Sequence, residues 1–378
     1  MHTKKSSLFI TLLAICALCS TSAPAQEHSI NKKMQQAANS LTELMPYIYN
    51  DEAFRSLTNK GKIEQNTASL IEVIRTTPHL FTEHAVTMQI SQQSLLNTLE
   101  QANSLYQSGS YATAQYLLSG VPMVCSSCHI QDGKQSSLNL HLDRDAFANE
   151  FSYAEFNYYM RNYQQAEAAY KTHLSKESTQ ESRIQSRKTL ERLLDISLLT
   201  SANADPARTQ LKEVSSLPKL NNEAKQVIHE WLTGLASLKF NVMPLDELQQ
   251  SIYATFDEQF TLEHEFIFQE ENRPKALLWR KHLHHNLRDP HNSLNTARAL
   301  YLLSILERAL GDQTDVSLAN LYLKECVYLK VEVYSAKCVN EYENHLLFYY
   351  GGSSGSQLPA EVYQQLQQLK KIVNDGQE

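Results

Sequence analysis

The 378-residue chain is poor in the residues that interrupt regular backbone, with ten glycines and ten prolines. Such a shortage of turn-formers argues against a many-turned sheet protein and favours helices throughout. The sequence also lacks a long basic run, which argues against nucleic acid or an anionic lipid surface as partner. Its formal charge is −7, which becomes −9 without Lys4 and Lys5. Beyond the first residues, no segment is long and apolar enough to cross a membrane. The patterns GxSxG, HExxH, GxGxxG and the P-loop are absent, so nothing points to a hydrolase, a kinase or a nicotinamide enzyme.

What is present begins with an export signature. Lys4 and Lys5 precede a short apolar stretch from Leu8 to Leu18, and Ala23-Pro24-Ala25 follows. That order predicts a signal peptide over 1–25, with the mature chain starting at Gln26 and residing in an oxidising compartment, the periplasm of a Gram-negative cell. Cys16 and Cys19 follow Ile15 and Leu18, where a lipid-anchored protein would carry a small residue. Four cysteines then remain, Cys125, Cys128, Cys326 and Cys338, and an oxidising compartment requires them to be paired, modified or bound.

Apolar residues recur at threes and fours along the first part of the mature chain. One stripe is Ile30, Met34, Ala37, Ala38, Leu41, Met45 and Ile48; a second is Ile63, Leu70, Val73 and Ile74. A third runs Met88, Leu95, Leu99, Ala102 and Leu105, and a fourth runs Tyr111, Ala114, Leu117 and Leu118. No one of these helices can bury its stripe alone, so an antiparallel four-helix bundle over 26–132 is expected. A polar linker is expected over 133–150, and an all-α domain of paired helices over 151–378. In "AEFNYYMRNYQQAEAAY", Ala154, Tyr158, Tyr163 and Ala166 resemble the small-and-aromatic rhythm of a tetratricopeptide-type hairpin. The same offsets occur at Ala102, Tyr106, Tyr111 and Ala114.

The chemistry-bearing motif is "VCSSCH", with Cys125, Cys128 and His129. Structural zinc would require four ligands, and Cys326 and Cys338 do not form a second CxxC pair. A thioredoxin-type dithiol belongs after a strand, whereas helices precede Val124. A simple disulfide gives His129 no role. Covalent haem c uses all three residues: two thioether bonds, with the adjacent histidine ligating the iron. His282, His284, His285 and His291 invite a metal reading, and His282 and His285 could share a helical face, yet no carboxylate or cysteine completes a set. His79, His84 and His141 have no supporting spacing. Cys326 and Cys338, on two expected helices with a turn near Ser335, are expected to form a disulfide.

A haem motif at the end of a four-helix unit resembles the cytochrome c′ family, over about Ile30 to Gln131. The resemblance rests on Cys125, Cys128, His129 and the helix order. It implies a haem held by the last helix and faced by the first, where Met34, or next Met45, would be the sixth ligand of the iron; a five-coordinate iron is the alternative. The chain departs from that pattern at Gly120 and Pro122, which are expected to break the fourth helix ahead of the motif. The expected function is periplasmic electron transfer by a monohaem cytochrome rather than enzymatic turnover, with the helical repeat region docking a redox or protein partner. A haem-based gas sensor and an interaction protein with a structural haem are the alternatives.

Overall fold

The computed structural model describes residues 23–77, 86–131, 142–176, 180–236, 238, 240–241, 243–256, 269–287, 292–311, 318–351 and 358–375. The side chains of 23–31, 86–91, 93–94, 123–131, 180–184 and 361 lie outside that description. All its regular elements are helical, and no strand occurs among the described residues. None of the described helices is long and apolar enough to cross a membrane. The expected leader falls outside the described residues up to position 22, as do residues 133–141 of the expected linker.

The first five helices are α1 (Ala23–Ile48), α2 (Asp51–Arg55), α3 (Lys60–Arg75), α4 (Val86–Gln107) and α5 (Tyr111–Gln131). The chain separates into two compact units, and the first holds 23–77 and Leu95–Val121 of the described residues. There Ala38, Leu41, Leu44, Met45 and Ile48 of α1 are buried, as are Ile63, Leu70 and Ile74 of α3, each set at helical spacing. Polar pairs fix the register along this seam: Lys33 Nζ donates to the Thr76 carbonyl, Ser40 Oγ to Ser69 Oγ at 2.8 Å, and Asn66 Nδ2 to Glu43 Oε2 at 3.1 Å. Advancing along α1 is matched residue for residue by retreating along α3, as antiparallel helices require. The end of α1 is tied to the start of α5, because Gln115 Nε2 donates to the Ile48 carbonyl at 2.9 Å and to Asp51 Oδ1 at 2.8 Å.

The α4–α5 turn recurs. Downstream, α6 (Glu150–Tyr159) turns into α7 (Tyr163–Ser175). Gly109 and Arg161 occupy the same offset in the two turns, and both are left-handed, with φ of 85° and 61°. One position on, Ser110 N donates to the Leu105 carbonyl and Asn162 N to the Asn157 carbonyl, both at 2.8 Å. Ala102 and Ala114, like Ala154 and Ala166, have no exposed surface, and α6 packs closely on α7. The rings beside the turn meet in both cases, Tyr106–Tyr111 with centroids 5.0 Å apart and Tyr158–Tyr163 6.1 Å apart. The repeated sequence rhythm thus specifies one hairpin geometry twice.

The second unit includes α6 and α7 and continues through α8 (Gln180–Thr200), α9 (Asp205–Ser215), α10 (Asn222–Ala236), α11 (Leu245–Thr255), α12 (Arg273–Asn286), α13 (Ser293–Ala309), α14 (Leu318–Tyr328), α15 (Glu332–Tyr350) and α16 (Ala360–Asp375). Most helices pack on the next in sequence, and α10 with α12, α13 with α15 and α14 with α16 pack one further along. One apolar core runs through α6 to α10 around Tyr170 and Trp231; another runs through α11 to α16 around Leu300, Leu303 and Tyr342. Helix α13 is buried on every side from Thr296 to Ala309, as a central helix must be. Gly234 of α10 lies so close to the turn at Glu270–Asn272 that a Cβ there would collide with the Glu271 carbonyl.

Three expectations are corrected. Helix α5 runs unbroken through Gly120 and Pro122, because a proline removes only one N–H from the ladder and Val121 and Leu118 bury the flanking turn. The sequence predicts a helix over Glu223 to Phe240, whereas α10 ends at Ala236. The turn expected near Ser335 lies at Leu329–Val331, where Lys330 is left-handed at φ 54°. Cys326 of α14 and Cys338 of α15 are bonded across that turn, with Cα atoms 6.2 Å apart and neither residue exposed. Closing so short a loop is worth roughly 3 kcal/mol.

A left-handed backbone costs an L-residue about 1 kcal/mol that glycine avoids. Arg161→Gly and Lys330→Gly should each leave stability unchanged or raise it by up to about 1 kcal/mol in urea denaturation, whereas Gly109→Ala should lower it by about 1 kcal/mol. Equal losses in all three would show that side-chain contacts, and not backbone strain, dominate these turns.

Candidate functional site

The motif lies on the last turns of α5. Each helical residue turns the chain by about 100°, so positions 125, 128 and 129 fall within an arc of about 100°. One helical face therefore carries both cysteine positions and the histidine position. The side chains themselves lie outside the described residues, as do His79, His84, His141 and His291. Pro122, three residues ahead of Cys125, is buried, and the Leu118 carbonyl receives no proline N–H.

On α1 the two methionines differ. Met45 has no exposed surface and sits among Leu41, Leu44 and Ile48 as core packing. Met34 is only half-buried. The described histidines of the histidine-rich stretch differ in their surroundings. His282 is buried, with Nε2 lacking a hydrogen-bond partner, and burial first, then Lys281 and His285, pushes its imidazole toward the neutral form. His285, three residues on along the same helix, is exposed, so the two histidines differ in burial. Among the described residues no cluster of three or more His, Cys, Asp or Glu could hold a metal ion.

Sequence reasoning missed a chain of buried charges in the second unit. Glu155 of α6 is 2% exposed and receives Lys188 Nζ at 2.9 Å, Arg192 Nε at 3.1 Å and the Tyr170 hydroxyl. Burial opposes its charge, but Arg192 and Lys188 outweigh burial and hold the carboxyl at about 2. The Arg192 guanidinium also donates to the Tyr159 hydroxyl at 2.9 Å and lies 4.3 Å over the Tyr158 ring. Tyr158 in turn donates to Asp195, which receives Arg280 Nη2 at 2.8 Å. Glu307 of α13 takes the other arm of Arg280 at 3.5 Å, and burial, opposed by that arginine, keeps its carboxyl above the usual range. Beside it, Arg308 pairs with Glu341 of α15. The one visible signal was a charged pair, Glu307-Arg308, inside the apolar run "LYLLSILERAL".

These groups use their polar atoms on one another, so they brace helices and offer no free nucleophile. Lys281 braces the end of α8 in another way, donating to the carbonyls of Leu198 at 3.0 Å, Leu199 at 3.2 Å and Ser201 at 3.2 Å.

A carboxyl held low when folded contributes stability that is present above its unfolded value near 4.5 and is lost as pH falls toward about 2. Acid titration of stability should therefore be less steep in that window for Glu155→Gln than for the parent, with Glu155→Gln less stable at neutral pH. Parallel acid limbs would show that other carboxyls carry the acid transition.

No family model, curated protein or solved structure matches this chain, so the functional reading rests on the motif, its helix and the surrounding chemistry.

Proposed function

We propose that this protein is an exported monohaem c-type cytochrome that carries electrons in the periplasm. The observation that carries this reading is the placement of Cys125, Cys128 and His129 on one face of an intact helix, a donor set that fits haem c: two thiols for thioether bonds and an imidazole beside them for the iron. When bound, the haem supplies one-electron chemistry at its iron. The chain's own share is to hold that group on α5 and to set its surroundings. The bonded state of Cys326 and Cys338 favours an oxidising compartment and leaves Cys125 and Cys128 as the only other cysteine pair of the mature chain. In this reading α1, α3, α4 and α5 form a cytochrome c′-like bundle. The hairpins that follow form a tetratricopeptide-like region that docks a redox or protein partner.

Met34 is the first choice for a second axial ligand. The cytochrome c′ resemblance puts a first-helix methionine on the distal side of the iron, and Met45 is engaged in core packing, which leaves Met34 ahead of it.

Expression with a cytochrome c maturation system should give a mass increase of one haem and a c-type pyridine haemochrome spectrum. Both should vanish when Cys125→Ala and Cys128→Ala are combined. A parent chain that gains no haem mass would refute the reading. The loaded parent should show a six-coordinate low-spin spectrum that turns high-spin in Met34→Ala. A parent that is high-spin and binds CO without displacing a ligand would favour gas sensing over electron transfer.

A further inference from the structure

Glu325 of α14 is 1% exposed, and neither of its carboxylate oxygens has a hydrogen-bond partner. Burial alone pushes its carboxyl up to about 8. It precedes Cys326, whose bond to Cys338 staples α14 to α15 across a three-residue turn. The charged and titratable groups buried on the helices packed against α14 have other partners: Glu307 has Arg280, Arg308 has Glu341, His345 has Asn320, Tyr334 has Gln249, Tyr342 has Gln365, and Tyr301 lies under Lys337. On α16, Lys370 pairs with Glu343. On α14 itself, Tyr328 is the titratable neighbour that feels Glu325. A carboxyl buried without a partner opposes closure of the element that buries it, more strongly as it is asked to ionise.

We propose that the Cys326–Cys338 disulfide is a lock: it holds shut a hairpin whose interior contains the orphaned Glu325 carboxyl, and its reduction turns that hairpin into a pH-gated element. Reduction requires an external dithiol. The Sγ–Sγ bond accepts two electrons and two protons, both cysteines become thiols, and the dithiol becomes a disulfide. With the staple gone, opening of α14 and α15 lets Glu325 reach water and release its proton. Each pH unit between the open and closed values of that carboxyl then favours the open form by about tenfold. With the staple intact, the two helices stay tethered at the level of Glu325 and the carboxyl remains covered. This inference is independent of the haem reading.

The test is native-state hydrogen exchange of the full chain by mass spectrometry, from pH 5 to pH 9, corrected for the intrinsic exchange rate. Oxidised protein, protein reduced with dithiothreitol and the Cys326→Ala/Cys338→Ala variant are compared, each with and without Glu325→Gln. Opening of α14 should rise about tenfold per pH unit up to about pH 8 in both staple-free forms and then level off. It should stay low in the oxidised protein, and the pH slope should disappear with Glu325→Gln, or with Glu325→Met if the glutamine variant does not fold. A staple-free slope that persists without Glu325 would overturn the gating role. Equal opening in oxidised and reduced protein would overturn the lock.

Discussion

The left-handed turn between paired helices is the constraint on which much of this architecture depends. It reverses the chain in very few residues, so the flanking helices must lie side by side, and only small residues at the crossing permit that approach. Ala102 and Ala114 in one hairpin, and Ala154 and Ala166 in the other, meet the requirement with no exposed surface. The tyrosines beside the turn then fill the space that the alanines leave. At Arg161 and Lys330 the same backbone is imposed on residues with a Cβ, which shows that packing of the helices outweighs local preference there.

Where the apolar face of the second unit is interrupted, charge takes over as a brace. Glu155, Arg192, Asp195, Arg280 and Glu307 connect α6, α8, α12 and α13 through partners that satisfy one another. Such a set adds little net stability compared with apolar residues of the same volume, but loss of one member leaves the others buried and uncompensated. It therefore favours one alignment of these helices over a slipped one. Glu325 is the exception, a buried carboxyl with nothing to answer it.

Much of the helical content was legible in the sequence because apolar spacing reports which face of a helix is covered. The stripe through Leu41, Met45 and Ile48 and the paired alanines correspond to buried positions, with Tyr106 buried beside them and Tyr111, Tyr158 and Tyr163 half-buried. The Cys326–Cys338 bond was expected from the cysteine count and the export-like start of the sequence, and it is present. Helix ends were less legible, since Lys330 carries no sequence mark of a left-handed turn. Pro122 misled for a related reason: local propensity argues for a break, and tertiary burial of Leu118 and Val121 decides otherwise. The ionic brace was invisible because its ion pairs join residues 27 to 85 positions apart in the chain and no local pattern pairs them. At the candidate site, the motif itself was plain in the sequence, while the difference between a half-buried Met34 and a core Met45 emerged only from packing.

Lys281 has a chemical consequence of its own. An ammonium group has three protons, and here each has a carbonyl acceptor at the end of α8. Neutralising that nitrogen by acylation would therefore strand carbonyls at the end of α8, so a modified Lys281 would loosen the helix end that it closes.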